Sequence, residues 1–385
     1  MENDVKKILI ALYYYHPYVS GVSVYAKRLA EGLAANGFDV TILTTQFKKR
    51  LPAQETINGV NIVRCPVLFK LGKGVISPFF LLKIISFSKN YNIVNMHLPL
   101  AESGIASLFI PKQKMITTYH CDINLGKKII SKFIEKLSFI SMHIALKRSR
   151  AIITQNIDYF LHSKMATYTE KAVEIIPPIF TEEYTRDDNI EFLKNKFDLK
   201  NEFIIGFVGR IVYEKGIKYL LESIEYLIPH ISKFKIVLAG DYKNVAGGSV
   251  KNELDSFIKK YPNKVIFTGF LSDEEMIPFY SLINVLVLPS IDPLEAFGMV
   301  QVEAMSCGTP VIASNLPGVN SIIKKTGFGF ISEPGNPKDI AEKIIKVYKK
   351  EYTSIGFKKE EWDAKNVIKK YSTIFIQGTL KEKNK

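Results

Sequence analysis

Short apolar runs rich in β-branched residues alternate with longer amphipathic stretches along most of the chain. In the first half, the runs that predict strands are residues 7–13, 38–45, 60–67, 92–97, 115–119, 151–154 and 173–176. In the second half they are residues 203–208, 235–239, 265–268, 285–288 and 310–313. The apolar residues in these runs are continuous rather than alternating, which indicates strands buried on both faces of a parallel sheet. Their alternation with helices predicts two doubly wound α/β domains.

The breaks between these runs predict where the domains meet. The helix predicted over residues 22–36 ends before Gly37, a residue type typical of helix C-termini. Pro177 and Pro178, followed by the polar residues 181–189, indicate a linker. We therefore expect an N-terminal domain over residues 1–180 and a C-terminal domain over residues 181–364. A last helical pattern, about residues 365–385, is a candidate to pack back on the N-terminal domain, with a frayed, charged end.

The composition is that of a soluble globular protein, and 385 residues with 47% hydrophobic content can bury two cores. The most apolar window, residues 75–87, is short and contains Pro78 and Lys83, so no membrane span is predicted. The first residues lack the basic start and apolar core of a signal peptide. The three cysteines, Cys65, Cys121 and Cys307, have no CxxC or metal-ligand spacing. This favours a reduced, cytoplasmic setting over a secreted protein with one disulfide.

The net charge of +14 is compatible with anionic partners, namely nucleotides, acidic lipid surfaces or nucleic acid, and does not choose among them. The segment from Lys127 to Arg150 holds seven Lys or Arg residues against one acid, with large apolar residues between them. Such a helix can lie on an anionic membrane surface. Alternatively, its apolar face packs on the sheet and its lysines are only solvated.

Ligands of open parallel sheets bind at the carboxyl ends of the strands, so the loops after the strands are informative. After the predicted strand 203–208 come Gly209 and Arg210, then Glu214, Lys215 and Gly216. Two cations and two glycines at such a turn can hold a diphosphate, because Arg binds phosphate oxygens bidentately and Lys adds a point charge. The alternative is an ordinary solvated loop.

A second informative loop follows the predicted strand 285–288 and leads into a short helix that ends at Gly308. The backbone amides of Phe297, Gly298 and Met299 would lie at the N-terminus of this helix, where a phosphate is favoured. Glu295 would lie on the loop and Glu303 within the helix, so the two carboxylates could flank one ligand. A carboxylate buried inside a helix needs a partner, and ribose hydroxyls are suitable. The alternative is a surface salt bridge.

Three segments of the second half occur in the order and spacing of a known family. They are Phe-Val-Gly-Arg-Ile-Val-Tyr-Glu-Lys-Gly (207–216), Ile-Phe-Thr-Gly-Phe-Leu (266–271), and an E-x7-E block that ends in Gly-Thr-Pro-Val-Ile-Ala (308–313). Together they resemble the retaining GT-B glycosyltransferases of glycosyltransferase family 4. The resemblance implies two Rossmann-like domains that face each other across a cleft, with a nucleotide-sugar as the donor.

The resemblance also implies roles for single residues of the second half. Arg210 and Lys215 would bind the donor diphosphate. Glu303 would hold the ribose, and Glu295 would contact the transferred sugar. The amides of residues 297–299 would also lie near the donor, and the turn that ends at Leu271 would seat the nucleotide base.

In the first half, Ser20-Gly21 stands where family members commonly have two glycines, and Gly21 would let backbone approach the donor. Residues 117–122 resemble the family's T-x-H segment, so His120 would face the cleft near the donor sugar and the acceptor. A hydrogen-bonding role for His120 is favoured over proton transfer. For His97 and His16 the sequence is compatible both with a role in the site and with a structural role.

No DxD motif and no His/Cys cluster with metal-ligand spacing occurs, so we expect no metal and no cofactor. The expected activity is retaining transfer of a hexose from a UDP- or GDP-sugar to a glycan or lipid-linked acceptor, in cell-surface polysaccharide or glycolipid synthesis. The alternatives are a GT-B sugar-nucleotide epimerase and a non-catalytic basic binding protein. No nucleic-acid-binding motif is present, and no GxGxxG follows the first strand as a dehydrogenase would require.

Overall fold

The computed structural model of the protein describes residues 6–71, 74–126, 128–242, 250–354 and 356–377. Lys127, the first residue of the basic segment, and the predicted charged end of the chain lie outside the described residues. The strands are β1 (Lys7–Ala11), β2 (Asp39–Thr45), β3 (Gln54–Ile57), β4 (Val60–Cys65), β5 (Phe69–Leu71), β6 (Gly74–Ile76), β7 (Ile93–Leu98), β8 (Met115–Tyr119), β9 (Ala151–Thr154), β10 (Ala172–Glu174), β11 (Phe203–Val208), β12 (Phe234–Ala239), β13 (Val265–Gly269), β14 (Val285–Leu288), β15 (Val311–Ser314) and β16 (Gly329–Ser332).

The α-helices alternate with these strands, as the sequence predicts. They are α1 (Gly21–Ala35), α2 (Pro78–Ser88), α3 (Ser103–Phe109), α4 (Ile129–Arg148), α5 (Ile157–His162), α6 (Glu191–Lys196), α7 (Ile217–Glu222), α8 (Ile224–Leu227), α9 (Lys251–Lys260), α10 (Asp273–Leu282), α11 (Met299–Ser306), α12 (Asn320–Thr326), α13 (Pro337–Tyr348), α14 (Lys359–Trp362) and α15 (Ala364–Gln377). The chain divides into two compact units: unit 1 is Met1–Pro178 with Ala364–Lys385, and unit 2 is Ile179–Asp363.

Unit 1 is built on an eight-stranded sheet in the order β10-β9-β8-β7-β1-β2-β4-β3, in which only β3 runs antiparallel to its neighbour. The chain winds from β1 to β2 and β4 in one direction and from β7 to β10 in the other. The switch point of the sheet therefore lies between β1 and β7, where Leu9 is in register with Val94. Both residues are fully buried, which explains the continuous apolar runs.

Two sets of helices cover this sheet. Ile8 and Ile10 of β1 share a core cluster with Leu29 of α1 and Ile368 of α15, so the last helix of the described residues packs within unit 1. Helices α2, α3 and α4 adjoin one another in that order. Gly104 of α3 brings its backbone against α4, because a Cβ at this position would lie 2.8 Å from the Cα of Ser141.

Unit 2 is built on a six-stranded parallel sheet in the order β13-β12-β11-β14-β15-β16. The chain winds outward from β11 through β12 to β13, and from β14 through β15 to β16. The switch point therefore lies between β11 and β14, where Ile205 is in register with Val285. Both units thus have the predicted doubly wound α/β fold, and in each the loops at the switch point are expected to carry the ligands.

Candidate active site

Two loops meet at the switch point of unit 2, one after β11 and one after β14. The backbone N–H of Ile291 donates to the carbonyl of Glu214 over 3.0 Å. Gly216 adopts the left-handed conformation with φ of 66°, and a Cβ there would lie 1.9 Å from the carbonyl oxygen of Pro289. Only glycine allows both this conformation and this approach without strain. The two loops are therefore joined through their backbones, and the side chains they carry are held at fixed positions.

Lys215 and Glu295, which lie on these two loops, form an ion pair through Nζ and Oε2. Each side chain is 18% exposed, and the Ser290 hydroxyl also lies 3.4 Å from Oε2. Arg210 is more exposed, and its Nη2 lies 3.6 Å from Oε1 of Glu214. The structure thus brings together Lys215 and Glu295, two residues that the sequence assigns to different parts of the donor. The arrangement offers a cation to a phosphate and a carboxylate to hydroxyl groups at one place.

Helix α11 begins where the sequence predicts the phosphate-facing amides. Its N-cap is Gly298, with no side chain capping the first turn, and Met299 is the first helical residue. The Gln301 side chain is buried and donates to the carbonyls of Phe297, over 2.9 Å, and Val319, over 3.1 Å. Gln301 was not predicted to have a role, yet it fixes the loop from which the helix starts.

Glu303 lies inside α11 and is 6% exposed, so its carboxylate is buried and does not lie on the surface. The Tyr280 hydroxyl, from α10, donates to Oε2 of Glu303 over 2.7 Å. This bond provides part of the compensation that a buried carboxylate requires. Sequence reasoning missed Tyr280, because nothing in the pattern of α10 marks one aromatic residue as the partner of a carboxylate 23 positions later.

The turn predicted to seat the base follows β13. Gly269 has φ of 74°, and its carbonyl accepts a hydrogen bond from the N–H of Gly240 over 2.8 Å. Leu271 is buried, whereas Phe270 beside it is 63% exposed. A ligand at this turn would therefore meet the Phe270 ring and backbone atoms rather than the Leu271 side chain.

In unit 1, the loop after β1 ends at the N-terminus of α1. Ser20 and Ser23 cap this helix reciprocally: the N–H of Ser23 donates to Oγ of Ser20 over 3.2 Å, and the N–H of Ser20 donates to Oγ of Ser23 over 2.8 Å. No described atom beyond the neighbouring residues lies within 4 Å of a Cβ built on Gly21. The serine that replaces the family's first glycine thus serves as a helix cap.

His120 follows β8 and belongs to a buried chain of polar side chains. Its Nε2 lies 2.9 Å from Nδ1 of His97, and its Nδ1 lies 2.5 Å from Nε2 of Gln155. Nε2 of His97 in turn lies 2.9 Å from Oδ1 of Asn95. Burial lowers the pKa of His120 to about 3 and the pKa of His97 well below its usual range. Both ring nitrogens of His120 are therefore engaged inside unit 1.

Two further side chains support this buried histidine chain from the helices. The Tyr25 ring, from α1, lies edge-on to His120 with centroids 4.9 Å apart. The hydroxyls of Tyr25 and Tyr371 are hydrogen-bonded, and Tyr371 belongs to α15. No role was predicted for Gln155, Tyr25 or Tyr371. Of these three, only Gln155 occupies a position that the sequence marks as informative, because it directly follows β9 as His120 follows β8. His16 is exposed, so it is not a member of this buried chain of side chains.

Among the described residues, no group of three or more His, Cys, Asp or Glu side chains is placed to hold a metal ion. Within the same part of the chain, no helix is both long and apolar enough to cross a lipid bilayer.

Two family models match the chain. The model of the glycosyl transferases group 1 matches residues 189–370, and that of Glycosyltransferase Family 4 matches residues 19–156. Among curated proteins, an uncharacterized glycosyltransferase of Methanocaldococcus jannaschii, MJ1607, is 28% identical over 96% of this chain and 97% of its own length. The O-antigen chain mannosyltransferase C of Escherichia coli is 24% identical over 89% of this chain and 88% of its own length.

Solved structures share the fold at low sequence identity. Sucrose-phosphate synthase from Thermosynechococcus elongatus has a TM-score of 0.78 and 20% identity, covering 97% of this chain and 98% of that one. Anabaena Alr3699/HepE in complex with UDP and glucose has a TM-score of 0.75 and 17% identity, covering 97% of this chain and 100% of that one.

Proposed function

The chain belongs to the GT-B glycosyltransferases of family 4, and we propose that it transfers a hexose with retention from a UDP- or GDP-sugar to a glycan or lipid-linked acceptor. Its two units have the fold of these enzymes, and transferase activity follows from the family. The proposal adds the donor, the acceptor and the stereochemical course. Retention, by departure and attack on the same face of the sugar, rests on the family resemblance.

The observation that carries the proposal is the Lys215–Glu295 pair at the switch point of unit 2. When a sugar–phosphate bond breaks, negative charge develops on the departing diphosphate. Preorganised cations lower the barrier to this step, and Lys215 and Arg210 are the cations that the two loops provide. Glu295 would accept hydrogen bonds from hydroxyls of the transferred sugar. We propose that these side chains and the amides of residues 297–299 suffice without a divalent cation.

The buried carboxylate of Glu303 supports a nucleotide as the part of the donor beyond the transferred sugar. This carboxylate accepts a hydrogen bond from the Tyr280 hydroxyl. A ribose offers two adjacent hydroxyls, which a carboxylate can accept. The structurally similar HepE protein was solved with UDP and glucose, which makes a uridine nucleotide the first donor to test.

The surface of unit 1 supports a lipid-linked acceptor at an anionic membrane. Of the 22 large apolar side chains that are exposed in the described residues, 13 lie between residues 68 and 144. They include Ile129, Ile130 and Phe133 at the start of α4, whose other face is buried. Exposed apolar side chains on adjoining helices indicate an interaction surface. An anionic partner suits this segment, since residues 66–150 hold 13 Lys or Arg and three acids.

The three acids of this segment are all paired: Glu102 with Tyr13, Asp122 with Tyr119, and Glu135 with Lys132 and Lys164. Apolar side chains rimmed by lysines match the interface of an anionic bilayer. We propose that unit 1 binds the cytoplasmic face of such a membrane. Its role in cell-surface polysaccharide or glycolipid synthesis is supported by the likeness to the O-antigen mannosyltransferase. The cytoplasmic setting is supported by the three cysteines, all within the described residues, which form no disulfide.

The test is nucleoside-diphosphate release from a panel of UDP-, GDP- and ADP-sugars, with and without a membrane lipid extract and with a chelator present. We expect release from one donor, stimulation by the extract, and loss in Glu295→Ala but not in Glu222→Ala, which removes the ion-pair partner of Lys218 on α7. A donor that isomerises without an acceptor would indicate an epimerase. No release and no nucleotide binding across the panel would contradict the enzymatic function.

A further inference from the structure

The switch point of unit 1 carries a pair of side chains in the same topological position as Lys215 and Glu295 in unit 2. Tyr13 lies on the loop after β1, and Glu102 lies on the loop after β7. The Tyr13 hydroxyl donates to Oε2 of Glu102. Because β1 and β7 are the strands on either side of the switch, this pair lies where ligands of doubly wound sheets bind.

Three polar contacts hold the pair in place. The N–H of Ala101 donates to the Tyr13 hydroxyl over 3.1 Å, and the Ser141 hydroxyl of α4 donates to the carbonyl of Ala101. The N–H of Gly104 donates to the same Ser141 oxygen over 2.8 Å. Tyr13 thus receives one hydrogen bond and gives one, so its orientation is determined. The Oε1 atom of Glu102 is not used by Tyr13.

Burial raises the pKa of Tyr13 well above its usual value, so the phenol keeps its proton. Burial also raises the pKa of Glu102, and the hydrogen bond from Tyr13 acts in the opposite direction. Neither member of the pair is a cation, unlike Arg210 and Lys215 in unit 2. A diphosphate would find no charge partner in the pair, whereas a hydroxyl group can donate to the carboxylate.

Aromatic rings lie on the same loop as Tyr13. Tyr14 and Tyr18 are stacked, with centroids 4.5 Å apart and planes at 23°. Phe47, just after β2, meets them edge-on at 5.8 and 5.4 Å. Tyr14 and Tyr18 are half-buried, so parts of both rings remain accessible. Tyr14 directly follows Tyr13, the hydrogen-bond partner of Glu102, so one loop carries both the contact to the carboxylate and two rings of the aromatic cluster. Aromatic rings and a carboxylate suit a sugar ring, which has apolar C–H faces and hydroxyl donors at its edge.

We propose that Glu102 and this aromatic cluster bind a sugar ring of the acceptor, with a hydroxyl donating to Glu102 and a C–H face packed on Tyr14 and Tyr18. Tyr13 is a positioning residue that holds the carboxylate. The proposal rests on the proposed transferase function, which assigns the donor nucleotide to unit 2. It names what unit 1 recognises: an uncharged, hydroxyl-bearing sugar.

Octyl glycosides of glucose, galactose, mannose and N-acetylglucosamine are the probes, and saturation-transfer NMR in the presence of UDP or GDP is the measurement. We expect at least one glycoside to bind the wild-type chain. Glu102→Gln and Tyr18→Ala should each weaken its binding about tenfold, the effect of losing one well-placed contact. Nucleotide affinity should be unchanged in both. Glu225→Gln is the matched control, since Tyr261 donates to Glu225 over 3.1 Å on the surface of unit 2.

Tyr13→Phe separates positioning from folding, because it keeps the ring and removes only the hydroxyl. It should weaken glycoside binding less than Glu102→Gln while leaving the melting temperature within a few degrees of wild type. Glycoside binding that is equal in wild type and Glu102→Gln, or no glycoside binding by a chain that binds its nucleotide, would overturn the acceptor site and leave the transferase function standing. Absence of nucleotide binding would instead count against the proposed function.

Discussion

His120 donates a hydrogen bond from Nε2 to Nδ1 of His97 over 2.9 Å, and the direction of this bond is determined from outside the pair. Nδ2 of Asn95 lies 3.3 Å from the carbonyl oxygen of Ile116, which can only accept, so Oδ1 of Asn95 must be the acceptor toward His97. His97 therefore carries its proton on Nε2 and accepts at Nδ1. His120 then has the same tautomer, and its Nδ1 accepts from the amide of Gln155.

The donor and acceptor roles in these hydrogen bonds predict the NMR signature of both histidine rings. We expect His97 and His120 to be neutral Nε2–H tautomers at pH 7 and to remain so down to about pH 5, because burial lowers both pKa values. Long-range ¹H–¹⁵N correlation spectra distinguish the tautomers by the shifts of the two ring nitrogens. A doubly protonated His120, or an Nδ1–H tautomer of either ring, would contradict these assignments of donor and acceptor. Gln155→Glu should raise the pKa of His120, because a carboxylate would then face Nδ1.

The same burial makes the stability of unit 1 depend on pH. The pKa of His120 is about 3 in the folded state, against about 6.5 in an unfolded chain. Between these values only the unfolded state binds the proton, so the free energy of unfolding falls as the pH is lowered from 6.5 toward 3. Above pH 6.5 His120 contributes no pH dependence. The expected slope is on the order of 1 kcal/mol per pH unit from this histidine, with the same sign from His97.

Urea unfolding followed by circular dichroism at pH 7, 6 and 5 measures this slope. His120→Gln should reduce it, whatever its effect on absolute stability, because the proton-binding group is gone. His162→Gln, which removes an exposed histidine of α5, is the control and should leave the slope unchanged. Equal slopes in wild type and His120→Gln would show that the His120 ring has the same pKa in the folded and unfolded states.

Replacing Lys215 tests the charge proposed to stabilise the leaving diphosphate. We expect Lys215→Ala to slow nucleoside-diphosphate release about 10²- to 10³-fold, corresponding to roughly 2–4 kcal/mol of transition-state stabilisation. Lys218→Ala, three residues later, removes an exposed lysine paired with Glu222 and should have full activity. Because Lys215→Ala also leaves Glu295 without its partner, the double variant Lys215→Met/Glu295→Gln checks that folding is intact. Full turnover by Lys215→Ala would remove this residue from the mechanism.

Vesicle binding tests the basic, apolar surface of α4. Lys128→Glu combined with Lys136→Glu should weaken binding to vesicles containing phosphatidylglycerol at least about 30-fold, since each charge near an anionic surface contributes about 1 kcal/mol. Phe133→Ser should also weaken binding through the loss of an exposed apolar side chain.

The control for the lysine reversals is Lys338→Glu with Lys349→Glu, which makes the same change in net charge on and just after α13 of unit 2. This pair should bind as wild type does, and none of the chains should bind neutral phosphatidylcholine alone. Equal weakening by both pairs of substitutions would mean that net charge, rather than the α4 surface, attracts the chain.

The sequence predicted the central strands well because their residues are buried on both faces, so the apolar runs coincide with the strands. The runs at 115–119, 151–154, 203–208 and 285–288 match β8, β9, β11 and β14 to the residue. The edge strand β3 was missed, since Gln54–Ile57 is polar and half-exposed and has no apolar run. The family motifs located the loops of unit 2 correctly in the fold.

Pairs formed across a switch point could not be predicted in the same way. Lys215 and Glu295 are 80 residues apart, and Tyr13 and Glu102 are 89 apart. Each pair meets only because two strands that are not consecutive in the chain lie side by side. Hydrophobic periodicity identifies strands but does not state their order in the sheet. Which polar side chains meet is therefore a result of topology, and it becomes visible only in the structure.

Gly216 links the two loops of the candidate donor site, and its replacement tests whether that link matters. In Gly216→Ala the new Cβ would lie 1.9 Å from the carbonyl oxygen of Pro289, so one of the loops must move. The left-handed backbone adds a strain of about 1–2 kcal/mol. Gly327→Ala is the matched control, because Gly327 has the same φ of 66° and a Cβ there would lie 3.7 Å from Cγ2 of Thr353, an ordinary van der Waals contact. The control variant therefore has the backbone strain without the steric clash of a Cβ with a carbonyl oxygen.

We expect Gly327→Ala to lower the free energy of unfolding by about 1–2 kcal/mol, and Gly216→Ala by about 1–3 kcal/mol more, as in other overpacked sites. Urea denaturation compares the two. Nucleotide binding, measured by calorimetry at a temperature where both variants are folded, should be weakened more in Gly216→Ala, because the loop that carries Lys215 would be displaced from the loop that carries Glu295. Equal effects of the two substitutions on stability and binding would mean that the contact with Pro289 relaxes without cost, and that the loops do not depend on each other.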